Sequence, residues 1–186
     1  MALKIEQTVV LEASPERVWA LLTDPREVAS CLPGAAITEQ VDDRTWRGTM
    51  SVKVGPVTTK YRGTIGFERL DASRWEADVV GQGQDVKGRG GAALRMQSRL
   101  QPAGSGTEVR VTFEVSITGL LAQLGRGMIE GVSAQTFRQF VGALQQRLAG
   151  GPAPESPPES LDALALGARA MGQAVKRFLG GESDKA

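Results

Sequence analysis

The chain has 186 residues, of which 41% are apolar, and its net charge at pH 7 is +1. This length fits one domain of ordinary size with an appendage, and the small charge without a basic stripe argues against a nucleic-acid-binding protein. The sequence contains no histidine, which removes the commonest general base, the commonest zinc ligand and every Ser-His or Cys-His nucleophile.

The compartment is indicated by cysteine usage and by hydropathy. Cys31 is the only cysteine, so no internal disulfide can form, which fits a reducing compartment. The sequence shows no apolar block of signal-peptide type and no uninterrupted apolar run of membrane-spanning length. These features predict a cytoplasmic protein, or one that is peripheral on the cytoplasmic face of the membrane.

The first elements are one strand and two short helices. Residues 3–12 alternate and end in a β-branched run, which predicts a strand. Ser14-Pro15 and Asp24-Pro25 each combine an N-cap residue with a proline at the first helical position, so each predicts the start of a short helix. Pro33-Gly34 ends the second helix.

Six further strands follow, and each alternates between an apolar and a polar face. They are predicted at residues 35–41, 45–54, 58–70, 74–83, 86–100 and 108–118. Their apolar faces contain many small residues, namely Gly48, Gly63, Ala77, Gly81, Gly90, Ala92 and Ser98. No charged residue falls on an apolar face in this assignment, so a pair of carboxylates for acid–base catalysis is not indicated.

Residues 119–150 are predicted to form one long helix, because their apolar residues recur at three- and four-residue spacing. Its first half contains Gly125, Gly127 and Gly131, which are unfavourable in a helix interior. A curved antiparallel sheet of seven strands, wrapped around this helix, would bury every apolar strand face. The prediction is therefore an α+β domain over residues 1–149, with two short helices after the first strand.

The small residues on the strands and helix are expected to leave a cavity for an apolar molecule, although an ordinary packed core is the alternative. The expected lining is Met50, Val52, Tyr61, Ile65, Leu94, Met96, Phe113, Leu124, Met128 and Val132. Tyr61 is the polar member of this set and could bond a carbonyl or hydroxyl of a ligand, or simply meet backbone or water. No catalytic residue, metal ligand or required cofactor is predicted.

Beyond the domain, residues 150–160 are rich in proline and glycine and predict a linker. Residues 161–181 predict an amphipathic helix, and residues 182–186 a disordered end. An apolar face with nearby cations is typical of helices that bind a membrane surface. The residues expected to do so are Leu161, Leu164, Met171, Val175, Lys176, Arg177 and Phe178. Packing on a partner protein or on its own domain remains an alternative.

Several motifs, in this order, resemble the CoxG family, the G subunit of carbon monoxide dehydrogenase, within the START-like (SRPBCC) helix-grip superfamily. They are Cys31-Leu32-Pro33-Gly34-Ala35, Val52-Lys53-Val54-Gly55-Pro56 with Tyr61-Arg62-Gly63, Gly81-x-Gly83, and Gly119 before Ala122-Gln123-Leu124-Gly125-Arg126. The resemblance covers about residues 3–148. It implies a helix-grip fold and a non-enzymatic accessory role beside a molybdenum hydroxylase of the carbon monoxide dehydrogenase type.

Two functions follow from these expectations. The first is a carrier for a hydrophobic small molecule, such as a respiratory quinone or a lipid, that is tethered reversibly to the cytoplasmic membrane. The second is an assembly or membrane-recruitment factor for the hydroxylase, without a ligand. Larger residues at Gly48 and Gly63 are expected to abolish only the first function. An enzyme acting on an apolar substrate is least favoured, because histidine and inward acids are absent from the assignment.

Overall fold

The computed structural model describes residues 1–151. The predicted tail helix at 161–181, the end at 182–186 and nearly all of the predicted linker lie outside the described residues. The described elements are β1 Ala2–Leu11, α1 Pro15–Leu22, α2 Pro25–Cys31, β2 Ala35–Gln40, β3 Thr45–Val54, β4 Val57–Asp71, β5 Glu76–Asp85, β6 Gly91–Ala103, β7 Gly106–Ile117, a 3₁₀ helix Leu121–Leu124, and α3 Arg126–Leu148.

The seven strands form one open antiparallel sheet in the order β1-β7-β6-β5-β4-β3-β2. Strands β2 to β7 are connected in sequence as hairpins. The first strand, β1, lies at the opposite edge from β2 and pairs with β7 along its whole length. The long helix α3 packs on one face of the sheet, called the inner face here. Its closest backbone approaches are to α2, the 3₁₀ helix, β1 and β3, so it bridges strands from distant parts of the sheet. The predicted α+β architecture is confirmed.

Both short helices begin where the proline motifs predict. Asp24 caps α2, because its carboxylate accepts hydrogen bonds from the Arg26 and Glu27 amides at 2.9 and 3.3 Å. Ser14 occupies the N-cap position of α1 but makes no side-chain capping bond, and Pro15 starts the helix.

The predicted helix over residues 119–150 is two elements rather than one. Gly125 separates the 3₁₀ helix from α3 and has φ of +85°, a backbone conformation that residues other than glycine rarely adopt. Gly125 therefore lies at a boundary, where the apolar periodicity had predicted a helix interior. Gly127 and Gly131 do lie within α3, but they are exposed, and a Cβ added at either would meet nothing within 4 Å.

The boundary between β5 and β6 also differs from the prediction. Strand β5 continues to Asp85, and β6 begins at Gly91 instead of Val86. The intervening residues form a turn, in which Asp85 accepts a hydrogen bond from the Lys87 amide at 2.6 Å. Gly88 and Gly90 have positive φ in this turn.

The core between sheet and helix consists of two separate apolar clusters. The first contains Leu144 and Leu148 of α3 together with residues of α1, α2, β1, β6 and β7. The second contains Ile129 of α3, Leu121 of the 3₁₀ helix and Tyr61 of β4. The two clusters lie at opposite ends of α3, so the helix is anchored at both ends.

Polar contacts fasten the C-terminal end of α3 to the short helices. The Arg147 guanidinium donates two hydrogen bonds of 2.7 Å to the Glu27 carboxylate of α2. Arg17 of α1 donates to the Leu148 carbonyl at 2.8 Å. These contacts position the helix end that carries the first cluster.

Candidate functional site

The inner face brings together the strand residues predicted to line a cavity. Register pairs Met50 with Tyr61, Ile65 with Gly81, and Gly81 with Leu94. Further along the same face, Met96 pairs with Phe113, and Val52 pairs with Thr59. Directly opposed residues of an antiparallel pair share a face, so the predicted strand residues form one continuous surface beneath α3.

The three predicted helical residues are placed differently. Leu124 and Val132 pack against the second cluster, at the margin of this surface. Met128 is 48% exposed on α3, and the neighbouring Ile129 occupies the buried position instead. Ile129 is thus an inward residue that the helical spacing did not distinguish from Met128.

The apolar side chains in the middle of the inner face are not sealed from solvent. Within the predicted strand lining only Tyr61 is buried. Partial exposure remains at Met50, Val52, Ile65, Leu94, Met96 and Phe113. Residues Met50, Ile65 and Leu94 belong to neither core cluster. Sheet and helix therefore leave an accessible apolar surface between the two ends that hold them together.

A row of small residues crosses this surface, but the reason for a small side chain differs from one position to the next. Gly48, Gly63, Gly83 and Ala92 lie in register on four adjacent strands. A Cβ at Gly63 would lie 1.8 Å from the Gln82 carbonyl oxygen, and one at Gly48 would lie 2.6 Å from that of Ala36. The close approach of the neighbouring backbone requires glycine at these two positions. Neither glycine therefore marks unfilled volume that a side chain could occupy.

Gly81 and Gly83 are different, because a Cβ at either would make ordinary van der Waals contacts at 3.5 and 3.4 Å or beyond. Neither has a positive φ. At these two glycines of β5, a side chain could be added without moving the backbone.

One charged residue does lie on the inner face, so the prediction that none does is wrong. Asp85 is buried on β5 directly opposite Tyr61. Its carboxylate accepts hydrogen bonds from the Lys87 amide at 2.6 Å and from the Arg89 guanidinium at 3.1 Å. The strand alternation of Gly81 and Gly83 continues to Asp85 and could have revealed it, had the strand not been ended at Gly83.

The surroundings of Tyr61 and Asp85 shift the pKa values of both side chains, in opposite directions. Burial raises the pKa of Tyr61, and the nearby Thr59 hydroxyl partly offsets that effect. Burial also raises the pKa of Asp85, but hydrogen bonds from the Lys87 amide and Arg89 outweigh it, so the pKa lies below its usual value. At neutral pH the site therefore holds a neutral phenol beside an ion pair.

Metal binding and membrane crossing find no support within residues 1–151. That part of the chain shows no group of three or more acidic, cysteine or histidine residues placed to hold a metal ion. Among its helices, none has the length and apolar character needed to cross a membrane.

A family model described as the G subunit of carbon monoxide dehydrogenase (CoxG) matches residues 8–149. No curated protein matches the chain.

Solved structures share the fold at low sequence identity. A conserved protein from Geobacillus kaustophilus is 21% identical with a TM-score of 0.72, over 80% of this chain and 96% of the other. The Zhui aromatase/cyclase from Streptomyces sp. R1128 is 17% identical with a TM-score of 0.58, over 82% and 100%. A START superfamily protein from Mycobacterium smegmatis is 14% identical with a TM-score of 0.57, over 79% and 97%. These similarities establish a START-like fold.

Proposed function

This chain belongs to the CoxG family, the G subunit of carbon monoxide dehydrogenase, and we propose that it is a non-enzymatic carrier of a hydrophobic small molecule. The molecule binds between the inner face of the sheet and α3. The family name associates the chain with carbon monoxide dehydrogenase, so the carrier is an accessory to a molybdenum hydroxylase of that type.

The observation that supports a carrier is the accessible apolar surface between the two core clusters. Side chains such as Ile65 and Leu94 lie on the inner face yet keep part of their surface exposed. Covering apolar surface is favourable by about 25 cal/mol per Å², so an apolar ligand that fills this space is stabilised by every side chain it covers. A quinone or a lipid meets this requirement, since each combines an extended apolar part with oxygen atoms.

Catalysis is not favoured by the groups that the site contains. The full sequence has no histidine, and the Asp85 carboxylate is already engaged by the Lys87 amide and Arg89. A general base must be free to accept a proton near neutral pH, whereas the pKa of Asp85 is lowered. The fold also occurs in a protein named an aromatase/cyclase, so it is the residues of this chain, rather than its fold, that disfavour catalysis.

The carrier function is tested with the purified full chain. Organic extraction followed by mass spectrometry should recover an enriched apolar compound. Added dimethylnaphthoquinone should raise the melting temperature, because a ligand that binds only the folded state stabilises it. Failure of both experiments would remove the carrier hypothesis.

A substitution that fills the ligand site distinguishes the carrier hypothesis from that of a ligand-free assembly factor. Gly81→Leu should block the ligand while the domain still folds, since a Cβ there makes only ordinary contacts. Gln82→Leu places the same side chain on the outer face and serves as the control. An assembly factor would support the hydroxylase equally well with either variant, whereas a carrier would fail only with Gly81→Leu.

The proposed tether is the sequence segment 161–181, whose cations and apolar residues suit an anionic membrane surface. Full-length protein should co-sediment with vesicles that contain anionic lipid and should be released by salt. A full-length variant with Val175→Asp and Phe178→Asp should remain in solution. Equal sedimentation of both proteins would contradict the tether.

A further inference from the structure

Hydrogen-bond donors without partners collect at one end of the apolar surface. The Thr59 hydroxyl is buried, with the residue 1% exposed. Although it is near enough to Tyr61 to lower the pKa of that phenol, no partner within residues 1–151 lies at ordinary hydrogen-bond geometry. Arg89 Nε is likewise buried without an acceptor there. Buried polar groups nearly always have partners, so two unsatisfied groups in one region require an explanation.

These groups lie next to Tyr61. Thr59 alternates with Tyr61 along β4, which places both side chains on the inner face. Tyr61 is directly opposite Asp85, which holds Arg89 through an ion pair. Arg89 also donates to the Thr58 carbonyl at 3.2 Å, and its own carbonyl accepts from the Leu120 amide at 2.8 Å. The region is thus fastened beneath the 3₁₀ helix, at the end of the second core cluster.

Each free group of this region can donate a hydrogen bond, whereas its carboxylate is already engaged. One oxygen of the Asp85 carboxylate binds the Lys87 amide, and the other binds Arg89. Asp85 also neutralises the charge of Arg89, so this guanidinium has little net charge with which to favour a carboxylate or phosphate. The group that best fits several donors without net charge is a neutral carbonyl oxygen.

We propose that Thr59, Tyr61 and Arg89 form the polar end of the ligand site and bind a carbonyl oxygen of an otherwise apolar molecule. This inference rests on the proposed carrier function. It orients the ligand, with its carbonyl beneath the 3₁₀ helix and its apolar part across Ile65 and Leu94. Thr59 and Arg89 are assigned as binding residues together with Tyr61.

The test compares two probes of the same carbon skeleton, dimethylnaphthoquinone and dimethylnaphthalene, which differ in the two carbonyl oxygens. Calorimetry with the full chain should show tighter binding of the quinone. Thr59→Val removes the hydroxyl at nearly constant volume and should weaken quinone binding about five- to tenfold, the equivalent of one hydrogen bond. Binding of dimethylnaphthalene should not change.

Two further variants control the experiment. Thr58→Val makes the same substitution at the adjacent exposed residue and should leave both affinities unchanged. Tyr61→Phe keeps the ring and removes the second hydroxyl, so it should also weaken binding of the quinone alone. The ligand-free melting temperature of Thr59→Val should equal or exceed that of the original protein, because the substitution removes an unsatisfied buried group.

The outcomes separate this inference from the carrier function. Equal affinity for both probes, unaffected by Thr59→Val, would overturn the polar end and leave the carrier standing. A Thr59→Val protein with a lowered ligand-free melting temperature and unchanged quinone affinity would show a structural hydroxyl and overturn it as well. Binding of neither probe would overturn both proposals.

Discussion

Glycines on the inner face divide into two kinds at the scale of single residues. Gly63 lies so close to the backbone of β5 that an added Cβ would overlap the Gln82 carbonyl oxygen. Gly81 lies two residues before Gly83 on the neighbouring strand and has ordinary space for a Cβ. Sequence alternation predicts the inward direction of both residues, but only coordinates distinguish close backbone approach from unfilled volume.

Alanine substitutions should therefore have opposite effects at the two positions. Gly63→Ala should lower the free energy of unfolding by about 3 kcal/mol, since overpacking that forces backbone movement costs roughly 1–3 kcal/mol. Gly81→Ala should be neutral or should stabilise by about 0.5 kcal/mol, because alanine is favoured over glycine within a strand. Urea unfolding at equilibrium measures both, and similar losses would contradict the distinction.

The same contacts decide which glycine can separate the two candidate functions by mutation. Filling Gly48 and Gly63 was expected to test for a ligand while folding persists, but both positions face backbone oxygens within 2.6 Å of an added Cβ. Loss of function in those variants would report misfolding. Gly81 is the position where a larger side chain tests the ligand itself.

At the scale of elements, the helical segment before and within α3 is interrupted at Gly125, where the sequence suggested continuity. The three glycines near its start looked equivalent, yet Gly125 ends the 3₁₀ helix with φ of +85° while Gly131 lies inside α3. Periodicity of apolar residues continues through such a break, so it could not reveal the boundary. A glycine tolerates both environments, and its identity alone does not decide between them.

Substitution by alanine should separate these two glycines. Gly131→Ala should stabilise the protein by about 1 kcal/mol, because the position is helical and exposed and a Cβ there meets no atom. Gly125→Ala should destabilise it by about 1–3 kcal/mol, the usual cost of a side chain in a backbone region that favours glycine. Thermal unfolding of the two variants would contradict this assignment if Gly125→Ala were the more stable.

The ion pair between Glu27 of α2 and Arg147 of α3 should make the free energy of unfolding depend on pH. Hydrogen bonds from Arg147 lower the pKa of Glu27 below 4.5, its ordinary value, against a smaller opposing effect of burial. A depressed folded-state pKa contributes stability that is complete above the unfolded-state value and is lost as pH falls through the folded-state value. The contribution of Glu27 should therefore be present at neutral pH and disappear in acid below pH 4.5.

Glu27→Gln tests that pH window. The variant should be less stable than the original protein at neutral pH, by a modest amount since the pair is partly solvated. The difference should shrink in acid, at a pH well below 4.5, as the pH falls through the lowered folded-state pKa and Glu27 becomes protonated in both states. Urea titrations at the two pH values measure it. Lys4→Gln, which removes an exposed pair with Glu6, is the matched control and should change little.

At the scale of the whole molecule, the order of elements and the sheet followed from the sequence because alternation, proline-capped helices and turn residues all indicate the same topology. The site was predicted less completely. Its strand residues share the inner face as expected, while Asp85 was missed because its strand was ended two residues early. Ile129 was missed because Met128 fits the helical spacing equally well, and only the approach of α3 to the sheet decides which one is buried.

Because the two core clusters lie at opposite ends of α3, we expect both ends of the helix to stabilise the fold and only its N-terminal end to affect ligand binding. Leu144 and Ile129 are both buried residues of α3, in the first and second cluster respectively. Replacing either by alanine should cost roughly 2–5 kcal/mol, the usual range for large buried aliphatic residues. Only Ile129 packs in the same cluster as Tyr61, so only its loss should alter the proposed ligand site.

Affinity for dimethylnaphthoquinone should therefore fall in Ile129→Ala and stay unchanged in Leu144→Ala, measured at a temperature where both variants remain folded. Stability alone cannot produce this difference, because the two substitutions remove similar apolar volume from similarly buried positions. Equal weakening in both variants would mean that the ligand spans the helix from end to end. An unchanged affinity in Ile129→Ala would place the ligand outside the second cluster and so contradict the proposed position of its carbonyl group.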